Sequence, residues 1–255
     1  MRRLQFGSKR VWELFPRDML PAGTRVLPCQ YVFALKKGLD GSMRRKARLV
    51  VCGNYERNMD LNTYAATSRA QSLRAFCAKA ALHKLRISSY DVQGAYLSAD
   101  VERDVFVLPP PLSNCPEGFV YKLHRAMYGL VDSARAWQKK AALVFKSVGF
   151  TRSKADQCLF TMNTPSGGML ILLVFVDDIL VARADEDAEF CQQKVKAIQA
   201  QIPLLETLLA KFLGLRIQLG ADFSVSLDQG HYAREILIRF KMANCAAEPL
   251  LCIRS

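Results

Sequence analysis

The feature that most restricts the fold of this chain is an acidic pair between two apolar runs. Residues 169–176 are apolar without interruption, Asp177 and Asp178 follow directly, and residues 179–182 are apolar again. Both flanks have the composition of buried β-strands, and neither Gly nor Pro separates them. We therefore expect a buried hairpin whose turn carries two carboxylates.

Two carboxylates at the end of a buried hairpin need a compensating cation, because burial and mutual repulsion both disfavour their ionised forms. Magnesium compensates such a pair, since it binds carboxylates together with water and substrate phosphates. An ordinary turn, in which Asp is common, is the alternative. The apolar residues on both sides of Asp177 and Asp178 favour the metal site over the turn.

A third carboxylate, Asp91, falls at the end of a predicted strand over residues 86–92. Taken alone, Asp91 is more typical of a residue in a turn that ends a strand. A strand end can, however, lie beside a hairpin turn on a neighbouring strand. Three carboxylates placed in this way could hold two metal ions about 4 Å apart, the arrangement used for in-line displacement at phosphorus.

Positive charge is concentrated in the first part of the chain. Lys and Arg total 36 against 23 Asp and Glu, and residues 1–57 hold thirteen of the basic residues against four acidic ones. Two β-like runs, 31–35 and 46–51, flank a predicted turn at Asp40-Gly41 and indicate a hairpin with basic side chains. A net charge of +13 favours a polyanionic partner or an acidic membrane surface. A merely solvated hairpin is the alternative.

Composition excludes several classes of protein. With 51% hydrophobic residues, the chain can bury a core and is neither disordered nor collagen-like. Its eight cysteines form no CxxC pair, which disfavours a zinc site and fits a reducing compartment. The longest apolar run is far shorter than the ~20 residues of a membrane helix, and the first residues lack the apolar run of a signal peptide. We expect an intracellular chain without a membrane partner.

Helical and strand-like periodicities alternate irregularly, which favours an α+β fold over a doubly wound sheet. No linker divides the chain into two domains. Apolar faces predict helices near residues 73–81, 137–148, 188–202 and 232–240. The predicted strands cover residues 86–92, 105–108, 169–176, 179–182, 213–219 and 223–227.

The chain resembles a known family in an ordered series of motifs. Residues 91–97 (DVQGAYL) and 175–178 (FVDD) are similar to the reverse transcriptase domain of copia-type LTR retrotransposon Pol polyproteins. Further matches follow the family's order and spacing at residues 12–14, 31–33, 46–50, 123–130, 135–137, 212–214 and 229–232. The resemblance runs from about residue 12 to residue 249.

This resemblance implies a right-hand polymerase fold with fingers, a ferredoxin-like palm and at most a partial thumb. The whole chain, 1–255, would be one reverse transcriptase domain. Its fingers would lie mainly in 12–85 and part of 100–135, and its palm mainly in 86–99 and 136–220. The implied activity is RNA-directed DNA synthesis, in which deoxynucleoside triphosphates extend a primer on an RNA or DNA template. The implied location is a cytoplasmic virus-like particle or the nucleus.

The resemblance also assigns a catalytic triad and a metal site. Asp91, Asp177 and Asp178 would be catalytic, and the metal-binding set would be Asp91, Val92, Asp177 and Asp178, holding two Mg²⁺ ions or Mn²⁺. A metal-dependent nuclease or phosphotransferase built on the same acids is an alternative. Tyr96 counts against that alternative, because the resemblance makes it a steric gate for the sugar of the nucleotide and a hydrolase needs no such gate.

The nucleotide and primer contacts come from the same resemblance. Lys46 and Arg48 would reach the incoming triphosphate, and Tyr96 would be a steric gate beneath its sugar, with palm core as the alternative for Tyr96. Asp132 matches a Gln of the family that contacts nucleotide and template. Phe212, Leu213 and Gly214 match the primer grip, although a strand with a Gly bulge would look alike.

Asp132 is the most consequential departure from the family pattern. An ionised Asp accepts hydrogen bonds but donates none, unlike Gln. Two unit charges ~6 Å apart at an effective dielectric of ~20 repel by roughly 3 kcal/mol, so a carboxylate here would weaken triphosphate binding. Arg135, three residues on, could neutralise Asp132. We therefore expect weak or absent polymerase activity, with a catalytically inactive remnant that only binds nucleic acid as the alternative.

Overall fold

The computed structural model describes residues 5–6, 9–37, 42–56, 61–111, 113–209 and 211–245. The helices are α1 (Ala70–Leu82), α2 (Ser133–Ser147), α3 (Ala188–Gln199) and α4 (Gly230–Arg239). The strands are β1 (Gln5–Phe6), β2 (Lys9–Arg10), β3 (Trp12–Pro16), β4 (Val26–Leu27), β5 (Cys29–Lys37), β6 (Met43–Val51), β7 (Arg86–Val92), β8 (Phe106–Val107), β9 (Phe119–Leu123), β10 (Thr151–Arg152), β11 (Leu159–Asn163), β12 (Met169–Phe175), β13 (Asp178–Arg183), β14 (Leu204–Thr207), β15 (Lys211–Phe212), β16 (Leu215–Leu219) and β17 (Val225–Asp228). The predicted α+β class and all four predicted helices are confirmed.

A six-stranded antiparallel sheet, which we call the palm sheet, organises the centre of the fold. Its strand order is β10-β11-β12-β13-β7-β14. Four of these strands and two helices occur along the chain in the order β7-α2-β12-β13-α3-β14. That chain order and the spatial order β12-β13-β7-β14 define a ferredoxin-like unit, so the predicted ferredoxin-like palm is confirmed.

The palm sheet is covered on both faces, which explains the uninterrupted apolar run in β12. Leu170, Leu172 and Val174 pack with α2 and α3, whereas Ile171 and Leu173 pack with α1 and the sheet β15-β16-β17. A strand with one solvated face would alternate apolar and polar residues instead. The two buried clusters therefore hold the hairpin β12-β13 in place from both faces of the sheet.

The predicted basic hairpin is also confirmed, and we call it the fingers hairpin. It consists of β5 and β6, paired from Cys29↔Val51 to Lys37↔Met43, and its predicted turn at Asp40-Gly41 lies outside the described residues. The base of the hairpin is bound to the segment before α2, since the Val51 N–H donates to the Tyr128 carbonyl at 2.8 Å. The chain boundaries assigned above to fingers and palm stay a prediction.

Some elements differ from the sequence-based expectation. The strand expected over 213–219 begins only at Leu215, because Leu213 (φ 52°) and Gly214 (φ 74°) form the two-residue turn between β15 and β16. Gly214 is thus a hairpin-turn residue and not a strand bulge, in keeping with the positive φ angles of such turns. Helix α4 forms but buries none of its residues. None of the described helices has the length and apolar character needed to cross a lipid bilayer.

Candidate active site

The three aspartates predicted to act together lie at one end of the palm sheet. Asp91 is the next-to-last residue of β7, and Asp178 begins β13 directly opposite Asp91 in the antiparallel register. Directly opposed residues of an antiparallel pair share a face and have Cβ atoms about 5 Å apart. Asp91, Asp177 and Asp178 are all partly exposed, so this end of the sheet is open to solvent.

Asp177 is placed by a tight turn in an unusual backbone conformation. Phe175 pairs with Asp178, which leaves Val176 and Asp177 as the two turn residues. Val176 has a φ angle of 54°, a left-handed conformation that costs a β-branched residue about 1–2 kcal/mol. The Val92 N–H donates to the Asp177 carbonyl at 2.8 Å and ties the turn to the end of β7.

Trp137 holds the same turn from the helical side. This residue of α2 is only 3% exposed, and its indole Nε1–H donates to the Val176 carbonyl at 2.7 Å. A buried indole N–H needs an acceptor, and here the acceptor is the main chain of the strained turn residue. Trp137 therefore links the helix α2 to the position of Asp177.

Replacing Trp137 by Phe should remove this hydrogen bond while keeping most of the buried ring. We expect the unfolding free energy to fall by about 1–3 kcal/mol, since the Val176 carbonyl loses its partner. Because the turn also loses a restraint, turnover in primer extension, the activity that the resemblance implies, should fall further than this loss of stability explains. Chemical denaturation and saturating steady-state extension measure the two effects.

A matched control for Trp137→Phe is Phe145→Leu, which removes apolar contacts from the same helix at a fully buried position. It should lower stability by a similar amount, typical of a buried large-to-small change. If Trp137→Phe and Phe145→Leu lose the same amount of stability and also the same amount of turnover, the Trp137 hydrogen bond has no specific role.

Two tyrosines and an arginine lie over the acidic end of the sheet. Tyr96 packs edge-on against Tyr128 with ring centroids 4.8 Å apart, and the Arg48 guanidinium lies 5.6 Å from the Tyr128 ring centroid. Burial raises the pKa of Tyr128, and the negative charges of Asp177 and Asp91 raise it further while Arg48 opposes them. Burial and Asp177 likewise raise the pKa of Tyr96. Both phenols therefore stay neutral beside the carboxylates.

The basic face of the fingers hairpin is turned toward this site. Lys46 and Arg48 alternate along β6, opposite Ala34 and Val32, so their side chains share one face of the hairpin. Both are partly buried, and Arg48 contacts Tyr128. The structure thus brings Arg48, which was predicted to bind triphosphate, to the aromatic pair above the aspartates.

The donor atoms at this end of the sheet are of the chemical type that a hard divalent cation binds. Carboxylate oxygens are what magnesium prefers. The Val92 side chain is a hydrocarbon without donor atoms, which leaves only its carbonyl oxygen as a possible ligand. Within the part of the chain that the structure describes, no three His, Cys, Asp or Glu side chains form a ready metal site. The assignment of Asp91, Asp177 and Asp178 as metal ligands stays a prediction.

Asp132 is neutralised by a different residue from the one expected. Arg103 Nε and Nη2 donate to its carboxylate at 2.7 and 3.2 Å, and Arg103 Nη2 also reaches Glu56 Oε1 at 2.5 Å. Arg135, the expected partner, instead donates to the Asn62 carbonyl at 2.9 Å. The prediction of an Asp132–Arg135 pair was wrong, because it considered only neighbours on the helix and not the loop that carries Arg103.

The predicted primer-grip residues lie on the opposite face of the palm sheet from α2. Phe212 is 1% exposed and packs against Phe175, the residue before the strained turn, with ring centroids 6.1 Å apart. Leu213 and Gly214 form the β15-β16 turn itself. This places the segment next to the acidic hairpin, while a role in holding a primer stays a prediction.

Sequence reasoning assigned no role to Trp137, Arg103 or Glu56. Trp137 did carry a signal, since a tryptophan on a buried helix face needs a partner for its N–H. Nothing in the sequence indicates that this partner is the Val176 carbonyl. Arg103 and Glu56 are 47 residues apart in the chain, and only the fold brings them together.

Comparison with known proteins gives a consistent family match. The family described as reverse transcriptase (RNA-dependent DNA polymerase) matches residues 9–252. The Pol polyprotein of transposon TNT 1-94 from Nicotiana tabacum is 30% identical over 239 residues, covering 88% of this chain and 17% of that protein. The Pol polyprotein of transposon RE1 from Arabidopsis thaliana is 31% identical over 186 residues, covering 71% of this chain and 12% of that protein. The chain thus spans less than a fifth of these relatives.

Among solved structures, a foamy viral protease-reverse transcriptase in complex with dsDNA aligns with a TM-score of 0.46 and 13% identity. That alignment covers 92% of this chain and 41% of the viral chain. An RNA-dependent RNA polymerase from bacteriophage phi12 aligns with a TM-score of 0.47 and 12% identity, covering 83% of this chain and 46% of the phage chain.

Proposed function

Because the chain belongs to the reverse transcriptase family of copia-type retrotransposon Pol polyproteins, we propose that it is an RNA-directed DNA polymerase domain that extends a primer 3′ end. One observation carries this proposal beyond family membership. Asp91 and Asp178 face each other across two strands, Asp177 lies in the adjoining turn, and Arg48 approaches the same site from the fingers hairpin. Acids on one side and a basic side chain on the other suit a triphosphate bound between them.

In this proposal, Asp91, Asp177 and Asp178 would hold two Mg²⁺ ions, or Mn²⁺, with the Val92 carbonyl as a further ligand. When bound, these ions activate the primer hydroxyl and stabilise the charge that develops on the pyrophosphate. The hairpin β12-β13 fixes the main chain at Asp177 and Asp178, since its strands are buried on both faces. Trp137 restrains the turn that carries Asp177.

The remaining groups would bind and select the substrate. Arg48 and Lys46 supply positive charge for the triphosphate from one face of the fingers hairpin. Template and primer are polyanions, and a chain with a net charge of +13 binds such partners through counterion release. Tyr96, which packs on Tyr128 near Asp177, would lie beneath the sugar of the incoming nucleotide.

Primer extension tests the proposal directly. The purified chain is incubated with a labelled DNA primer on an RNA or a DNA template, the four deoxynucleoside triphosphates, and Mg²⁺ or Mn²⁺. We expect metal-dependent extension on the RNA template. Salt-sensitive binding of the primer-template without extension in either metal would instead support the nucleic-acid-binding remnant.

Replacing Tyr96 by Val should weaken discrimination against ribonucleotides. Tyr96 is half-buried and packs against both Tyr128 and the core between the palm sheet and α2. Removing the ring relieves the clash with a 2′-hydroxyl, and relief of about 1.4 kcal/mol changes the ratio of ribonucleotide to deoxynucleotide incorporation about tenfold. Single-nucleotide incorporation kinetics with matched triphosphates measure this ratio.

The control for Tyr96→Val is Tyr96→Phe, which keeps the ring and removes only the hydroxyl group. It should leave the sugar preference close to that of the unaltered chain. If Tyr96→Val lowers the melting temperature but keeps the same ratio of ribonucleotide to deoxynucleotide incorporation, Tyr96 is a core residue and not a sugar gate.

A further inference from the structure

Four side chains form a row across the palm sheet at its acidic end. Phe175 pairs with Asp178, and Asp178 pairs with Asp91. Asp91 pairs in turn with Leu205, which lies in the edge strand β14. Directly opposed residues of an antiparallel pair share a face and have Cβ atoms about 5 Å apart. Leu205 is therefore the immediate neighbour of Asp91 on the side away from Asp178.

Side-chain contacts confirm the register between β7 and β14. Thr207 lies opposite Ser89, and its hydroxyl group donates to the Ser89 hydroxyl oxygen at 3.1 Å. On the other face of the same strands, Glu206 lies opposite Tyr90. Burial raises the pKa of Tyr90, and the negative charge of Glu206 raises it further. Because side chains alternate along a strand, Leu205 shares the face of Thr207, which is also the face of the carboxylates.

The two ends of this row differ in how they are covered. Phe175 packs against Phe212 of β15, with ring centroids 6.1 Å apart. Leu205 is 47% exposed, and among the described residues it belongs to neither of the two buried clusters of the palm sheet. Natural edge strands seldom leave large apolar side chains exposed, because these favour unwanted pairing. Packing within the fold therefore gives no reason for a leucine beside Asp91.

The proposed function, on which this inference rests, brings two sugars to these carboxylates. The attacking hydroxyl belongs to the terminal sugar of the primer, and the phosphorus that it attacks is linked to the sugar of the incoming nucleotide. The phosphates are anionic and suit the metal ions and Arg48. The carbon-bound hydrogens of a sugar suit an apolar side chain, because their contact removes apolar surface from water on both sides.

We propose that Leu205 is a binding residue that packs against the sugar of a nucleotide held at Asp91 and Asp178. The contact aligns the reacting group with the carboxylates, because Leu205 lies one strand away from Asp91 on the same face. The terminal primer nucleotide and the incoming nucleotide both carry such a sugar. A change at Leu205 affects a different binding constant in each case, which separates the two sources.

Leu205→Ala tests the proposal, since it removes the exposed part of the side chain and keeps the strand. A contact with the incoming nucleotide should raise the KM for deoxynucleotides about tenfold and leave the Kd for primer-template unchanged. A contact with the primer should raise that Kd about tenfold and leave the KM unchanged. Leu205→Met keeps an apolar side chain of similar volume, so both constants should stay close to those of the unaltered chain.

The matched control is Leu14→Ala. Leu14 is 48% exposed and also lies in an edge strand, β3 of the sheet β3-β9-β8-β4. Its replacement should change neither constant. Steady-state extension measures the KM, and the fluorescence anisotropy of a labelled primer-template measures the Kd. If Leu205→Ala is too unstable to purify, Leu205→Thr takes its place, because Thr favours strands and is less apolar than Leu.

The outcomes separate this inference from the proposed function. If the unaltered chain extends primers and Leu205→Ala changes neither constant, the inference alone is overturned. Increases of equal size in Leu205→Ala and Leu14→Ala, or in Leu205→Ala and Leu205→Met, would also overturn it, because they would not depend on the contact. Absence of extension by the unaltered chain would overturn the proposed function, and this inference with it.

Discussion

Asp177→Asn is expected to abolish primer extension, lowering the rate by at least about a thousandfold, or roughly 4 kcal/mol of transition-state stabilisation. Asn keeps the size of the side chain but removes the negative charge that a metal ligand in this position must supply. The fold should survive, because the turn is held by main-chain groups: the Asp177 carbonyl accepts the Val92 N–H, and the Val176 carbonyl accepts the Trp137 indole. Rapid-quench extension under Mg²⁺ and a melting curve measure the two quantities.

The control for Asp177→Asn is Asp185→Asn, which makes the same change of charge beyond the other end of β13. It should extend primers at the rate of the unaltered chain. Affinity for primer-template should stay equal or rise slightly in both variants, since each removes one negative charge. Extension by Asp177→Asn at near the unaltered rate would show that Asp177 is a turn residue and not a catalytic one.

Much of the fold could be predicted because the spacing of apolar residues indicates which faces of a strand or helix are buried. The uninterrupted run in β12 reflects a strand buried on both sides, and the spaced apolar residues of α2 reflect a helix buried on one side. The placement of Asp91 beside Asp178 could also be anticipated, since strand ends and hairpin turns meet at sheet edges. Where a chain turns is harder to predict: Leu213 carries no sequence signal for its left-handed conformation.

The candidate site was predictable in its charged residues but not in the contacts that orient them. Asp132 was expected to pair with Arg135, because helical spacing brings those two residues together. In the fold, Arg103 takes the place of Arg135 as the partner of Asp132, and it donates two hydrogen bonds to the Asp132 carboxylate in a partly buried cluster. Long-range pairs of this kind depend on how the loop before β8 packs against the start of α2, and no local sequence pattern predicts that packing.

Gly129→Ala is expected to lower the unfolding free energy by about 2–5 kcal/mol, combining ~1–2 kcal/mol for a left-handed backbone with ~1–3 kcal/mol for overpacking. Gly129 has a φ angle of 93°, and an added Cβ would lie 1.9 Å from the Val51 carbonyl oxygen and 2.7 Å from a Val50 methyl group. The Val51 oxygen belongs to the main chain of the fingers hairpin and cannot move alone. The hairpin must therefore separate from the segment that carries Tyr128, and the neighbouring hydrogen bond from the Val51 N–H to the Tyr128 carbonyl should break.

Gly118→Ala separates the two contributions to this loss. Gly118 has a similar φ angle of 79°, but an added Cβ would meet nothing within 4 Å. It should therefore show only the backbone cost, about 1–2 kcal/mol, in the same denaturation experiment. Because Arg48 contacts the Tyr128 ring only while the hairpin is docked, Gly129→Ala should also raise the KM for deoxynucleotides, and Gly118→Ala should not. Equal stability losses in the two variants would mean that the fingers hairpin tolerates a Cβ at Gly129, and that its close approach to this segment does not hold the fingers in place.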